Sequence, residues 1–159
     1  MLENKVLYKA LRGFKVRIHE ILKEETEDRP HLSAEQLAAV ERFADKLWEK
    51  LGIDVKFGTH FLERLYRYEN DPPISGAELV RLFKQEYQKY GKEIASLPPE
   101  TEGVFMDLLT NVNLPFVIKQ RDVDEPKKIL GQTIMRKPSN TAKGQFVPKG
   151  PAFKIGRTD

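Results

Sequence analysis

The sequence predicts an α+β protein: an N-terminal helical hairpin, further helices packed on a small antiparallel sheet of about four strands, and a basic, irregular C-terminal tail. Three observations predict this. Apolar residues recur at three- and four-residue spacing through the first half of the chain. Beyond residue 100 they fall in short alternating or continuous stretches, the pattern of strands. Helix signals and strand signals are also segregated along the chain, which disfavours a doubly wound sheet.

Residues 4–28 read as a first helix, with Leu7, Leu11, Phe14, Ile18, Ile21 and Leu22 as its apolar stripe. Arg29-Pro30-His31-Leu32 breaks it. Ser33-Ala34-Glu35-Gln36 is a capping-box pattern that opens a second helix, burying Leu37, Val40, Ala44, Leu47 and Trp48 and ending near Gly52. The two helices form the predicted hairpin, whose stripe is too small a core by itself. Ile53, Val55 and Phe57 alternate with Asp54 and Lys56 as a half-buried strand. Thr59 then caps a short helix carrying His60, which ends before Asn70-Asp71-Pro72-Pro73.

Ser75-Gly76-Ala77-Glu78 is a second capping signature. Its helix buries Leu79, Leu82, Phe83, Tyr87 and Tyr90, with Gly91 as a stop and Leu97-Pro98-Pro99-Glu100 as a break. Residues 104–110 suit either helix or strand, and Asn111-Val112-Asn113 is read as a turn. Residues 115–119 and 128–137 read as two strands joined by a charged loop, a hairpin. From Pro138 onward polar and turn-forming residues dominate, with Phe146, Phe153 and Ile155 as isolated anchors. The chain therefore divides into residues 1–52, residues 53–137 and the basic tail 138–159.

Composition narrows the functional classes. With 159 residues, 40% hydrophobic and 32% charged, the chain is long enough for one domain with a core and too apolar to be disordered. No apolar run nears the ~20 residues of a membrane span, and no secretory-type apolar block stands at the N-terminus. An intracellular location, in a host cytoplasm or a virion, is expected, with no membrane partner. The absence of cysteine excludes disulfides, thiol nucleophiles and thiolate metal sites. The net charge of +3 is uneven: over residues 135–159 basic residues outnumber acidic ones six to one. Such a tail points to a polyanionic partner, or to a solubilising extension.

Chemistry concentrates at His60 and Arg64. The three histidines lie on separate elements without metal-ligand spacing, so neither a metal nor a cofactor is expected. No glycine-rich phosphate loop or serine nucleophile elbow is present. His60 and Arg64, at i and i+4, share one helix face. An imidazole moves a proton near neutral pH, and a guanidinium matches two phosphate oxygens. An RNA phosphodiester needs little more, because its 2′-hydroxyl is an internal nucleophile. On the closing strand, Thr133 opposes Ile134 and can hydrogen-bond a substrate oxygen, and Arg136 leaves the strand end as a cation. Lys119, Lys137, Arg67, Lys143 and Lys149 are the expected contacts to a nucleic-acid backbone. Against this stands the plainer reading, a packed or capping histidine with Arg64 paired to Glu63, Glu69 or Asp71. Tyr66, Tyr68, Tyr87 and Tyr90 suit base stacking or, at helical spacing, core packing. His19 and His31 are read as structural or exposed.

Residues 55–137 resemble the RelE-like, EndoU-like and barnase-like endoribonuclease superfamily, in its phage-encoded branches. The matching pieces are the strand and helix with His60 and Arg64, the Pro73-Ile74-Ser75 turn into Glu78-Leu79, the Leu114-Pro115-Phe116-Val117-Ile118 strand and the Thr133-Ile134-Met135-Arg136-Lys137 strand. The resemblance implies one or two helices before a curved four-stranded antiparallel sheet, metal-independent RNA cleavage and, in many members, a toxin role. It carries over His60, Arg64, Thr133 and Arg136. The sheet has no second histidine, which many active members use as the acid.

Three functional classes follow. The first is a metal-independent endoribonuclease of phage or prophage origin, with His60 as base or acid, Arg64 and Arg136 on the phosphate, and Thr133 positioning substrate. The second is a non-enzymatic virion, assembly or nucleic-acid-binding protein whose residues 1–52 and tail contact other subunits. The third is a small helical regulator acting through residues 1–52.

Overall fold

The computed structural model describes residues 32–67, 70–137 and 148–156. The expected helix over residues 4–28 lies outside them. Among these residues three α-helices, α1 (Ala34–Trp48), α2 (Phe61–Leu65) and α3 (Gly76–Ala95), and a 3-10 turn (Glu49–Leu51) accompany six strands. These are β1 (Ile53–Phe57), β2 (Glu102–Asp107), β3 (Val112–Lys119), β4 (Lys127–Gly131), β5 (Met135–Arg136) and β6 (Ala152–Ile155). The fold is α+β, as the segregation of signals predicts.

The sheet departs from the expected four antiparallel strands. Its order is β1-β4-β3-β2-β6, with β5 pairing the start of β3. It is mixed: β1 lies parallel to β4, and β2 parallel to β6. Neither parallel pair is visible locally, because its members are joined by long connections rather than turns. β2 has both faces covered, so it lacks the alternation that would have marked it. β6 comes from the stretch read as tail. Phe153 and Ile155 are anchors as expected, but they anchor a strand. Phe146 lies outside the described residues.

Both helix-opening signals form as read. Ser33 and Gln36, and Ser75 and Glu78, exchange reciprocal side-chain to backbone hydrogen bonds, satisfying donors that helix starts leave orphaned. α1 buries Leu37, Val40, Phe43, Ala44, Leu47 and Trp48 against β1 and α3. One cluster unites them with Phe83 of α3 and with Phe105, Phe116 and Phe153 of the sheet, so apolar packing runs continuously across Gly52. Gly91 does not end α3. A Cβ there would lie 2.8 Å from Leu51 Cδ1, so the glycine admits the turn after α1 and the helix continues to Ala95. Lys127 Nζ then donates to the Ala95 and Leu97 carbonyls, satisfying that helix end.

Two further expectations shift. The turn after β2 occupies residues 108–111, with Asn111 at φ 63, and Val112 and Asn113 already belong to β3. The expected strand 128–137 is interrupted between Gly131 and Met135. Pro115 of β3 accepts a hydrogen bond from Gln132 N–H but has no N–H to return. The ladder therefore lapses there. Ile134 turns into the core while Thr133 stays half-buried on the other side.

Candidate functional site

The ends of the parallel pair β1 and β4 carry the candidate site. Phe57 is in register with Gly131, and Gly58 N–H closes the pair on the Gly131 carbonyl at 2.8 Å. The chain leaves β1 into α2 and leaves β4 into the interrupted segment, so residues 60–64 and Thr133 emerge side by side. Arg64 Nη1 lies 3.5 Å from Thr133 Oγ1, a long hydrogen bond across 69 positions of sequence. The structure thus brings together two of the expected residues.

His60 precedes the first helical residue. It occupies the cap position expected for Thr59, at φ −101 and ψ 8, and makes no side-chain cap. α2 is five residues long and ends at Leu65, short of Asn70. The imidazole is exposed, with Nδ1 3.3 Å from Glu63 Oε2. When Nδ1 carries the proton and donates to this carboxylate, Nε2 holds the free lone pair. Glu63 is the residue that sequence reasoning missed in this role. It was weighed only as a partner for Arg64, although i to i+3 spacing from His60 was legible.

Arg136 is placed otherwise than expected. Its guanidinium has five N–H donors, and all five meet oxygens of this chain. Nε donates to Pro72 O, Nη1 to Thr110 O and Glu78 Oε2, and Nη2 to Pro73 O and Glu78 Oε1. Its backbone N–H donates to Asn70 Oδ1. Burial pushes the Glu78 carboxyl up, but the hydrogen bonds from Arg136 and Ser75 override it and hold the group below its ordinary 4.5. The side chain is only 11% exposed. It is a structural clamp joining β5, the 70–73 turn and α3, with no donor left for a phosphate.

The expected backbone contacts divide between opposite ends of the sheet. Arg67 is exposed just beyond α2, and Lys137 follows the clamp, half-buried. Lys119 ends β3 on the far side, separated from Arg136 by the length of that strand, roughly 25 Å. There it pairs with Glu100 at 2.9 Å and lines an open groove of about 500 Å³. In that groove Lys119, Arg121 and Lys128 face Asp54, Glu100 and Glu125, so its charge is balanced. Lys149 is exposed before β6, and Lys143 lies outside the described residues. Of the tyrosines, Tyr87 packs edge-on against Trp48 and Tyr90 against Phe153. Tyr66 donates its hydroxyl to the Leu32 carbonyl, and Tyr68 lies outside the described residues.

Among the described residues no group of three or more His, Asp or Glu is placed to hold a metal ion, and no helix is long and apolar enough to cross a membrane. Comparison of the chain with protein-family models, curated proteins and solved structures finds no match.

Proposed function

We propose that this chain is a metal-independent, endoribonuclease-like protein of phage or prophage origin that acts on RNA phosphodiesters through His60. The observation that carries this reading is the exposed imidazole with Nδ1 against Glu63, beside an arginine positioned by Thr133. Nε2 takes the proton of the 2′-hydroxyl, and O2′ attacks phosphorus. The P–O5′ bond breaks, leaving a 2′,3′-cyclic phosphate, and the departing oxygen takes a proton from solvent. Arg64 faces the charge that grows on the phosphate oxygens. Its hydrogen bond to Thr133 occupies one N–H and orients the fork.

The test compares wild type with His60→Ala on end-labelled RNA in EDTA. Cyclic-phosphate ends from wild type, with a loss of ~100-fold or more in the variant, support the reading. Undiminished cleavage by His60→Ala overturns it.

A second reading is favoured by Arg136. With that guanidinium engaged internally, the site keeps one arginine, a set better suited to holding a phosphate than to turnover. A non-enzymatic nucleic-acid-binding or virion assembly protein would bind RNA or DNA with salt-dependent affinity. It would release no product.

A further inference from the structure

Glu86 lies on α3 with its side chain 0% exposed. Neither carboxyl oxygen has a well-formed hydrogen bond, and the backbone N–H of Met106 on β2 compensates it only in part. One turn further along the same helix face, Tyr90 packs its ring on Phe153 at 5.3 Å and donates its hydroxyl to Lys154 O at 2.8 Å. Lys89 Nζ donates to that same carbonyl at 3.2 Å. The carboxyl therefore sits in the seam between α3 and β2, beside the clasp that holds β6.

We propose that Glu86 is a proton-controlled latch for the C-terminal strand β6. The inference is independent of the nuclease reading and of His60. A protonated carboxyl fits the seam, whereas a carboxylate there is shut off from solvent and has no ion-pair partner among the described residues. The charged groups facing it are Asp107 on β2, which repels it, and Lys89 on α3, which attenuates this weakly. Asp107 is itself held by Arg81 of α3 at 3.0 Å and by the Leu109 N–H. Lys154 on β6 is exposed. Burial pushes the Glu86 carboxyl well above its ordinary 4.5. A raised value means that the proton's contribution to the closed form is full below 4.5, erodes as pH rises above it and is spent once pH reaches the raised value.

Water reaches the ionised group most cheaply from the outer edge. Among the described residues β6, four residues long, ends the strand order and pairs with β2 alone. Its release uncovers the seam and leaves β1 to β5 paired.

Amide hydrogen exchange of the full chain between pH 5 and 9, expressed as protection factors, tests the latch. In wild type, protection over residues 152–155 is expected to fall by ~10-fold per pH unit between the ordinary 4.5 and the raised closed-form value, the slope of one proton, and to level off above it. Amides of β3 should keep theirs. Glu86→Gln, and the apolar Glu86→Met should the amide prove intolerable, flattens the profile. Tyr90→Phe lowers β6 protection at every pH without removing the slope. A flat wild-type profile, a slope that persists in both Glu86 variants, or loss of β3 together with β6 overturns the proposal.

Discussion

Glu41 accepts the backbone N–H of Phe57 at 2.8 Å, and so a helix side chain closes the free edge of strand β1. Asp45, one turn later on α1, does the same for Val55 at 2.8 Å. Helical i, i+4 spacing thus matches the two-residue repeat of outward N–H groups on an edge strand. At the opposite edge, Tyr90 and Lys89 supply donors to the outward carbonyl of Lys154. Helix side chains therefore occupy groups on both rims that could otherwise recruit a foreign strand.

Removing these caps should cost stability and promote self-association. Glu41→Ala and Asp45→Ala are each expected to lose about 1–2 kcal/mol, because each strands a backbone donor. The double variant should form concentration-dependent oligomers in size-exclusion chromatography. Glu41→Gln keeps an acceptor and should stay monodisperse.

The Arg136 clamp predicts a larger loss and a pH dependence. Arg136→Ala leaves the Glu78 carboxylate half-buried without its cation and should destabilise the fold by about 3 kcal/mol, read by chemical denaturation. Glu78 is held below its ordinary value in the folded state, so its contribution is full above 4.5 and fades as pH falls through the folded value. Glu78→Gln should be less stable than wild type at pH 7, and the difference should shrink in acid.

Gly150 lies so close to β2 that a Cβ would sit 1.8 Å from the Glu102 carbonyl oxygen. Backbone cannot move aside as a side-chain tip can. Gly150→Ala should therefore displace the entry to β6 and cost about 1–3 kcal/mol. Limited proteolysis should cut first within residues 148–156, with the rest of the sheet still folded.

His60 and Glu63 are both exposed, so their variants should separate activity from stability. His60→Ala and Glu63→Gln are each expected to leave unfolding free energy within ~0.5 kcal/mol of wild type. If Glu63 orients the imidazole, Glu63→Gln should lower RNA cleavage by ~10-fold or more. Unchanged cleavage would remove Glu63 from the site.

The candidate site was legible in proportion to how local its parts are. His60 and Arg64 stand within one short stretch, and their types alone suggested proton transfer and anion binding, whereas Glu63 between them went unread in that role. Thr133 was found through strand alternation, but its meeting with Arg64 depends on the lapse in the ladder opposite Pro115. Arg136 looked like a free strand-end cation because none of its five acceptors is near it in sequence. Lys119 is an expected contact to a nucleic-acid backbone alongside Lys137, yet the direction of β3 carries it to the far end.

By itself the sequence determined the α+β class, both capping boxes, the apolar face of α1 and the position of β1. Each rests on interactions within a few residues, or on one element's own periodicity. Only the tertiary structure decided that the sheet is mixed, that β6 belongs to it, that Glu41 and Asp45 seal its edge and that Arg136 is a clamp. Those outcomes depend on which distant backbone groups and charges become neighbours, and chain crossovers set this while local periodicity is silent about it.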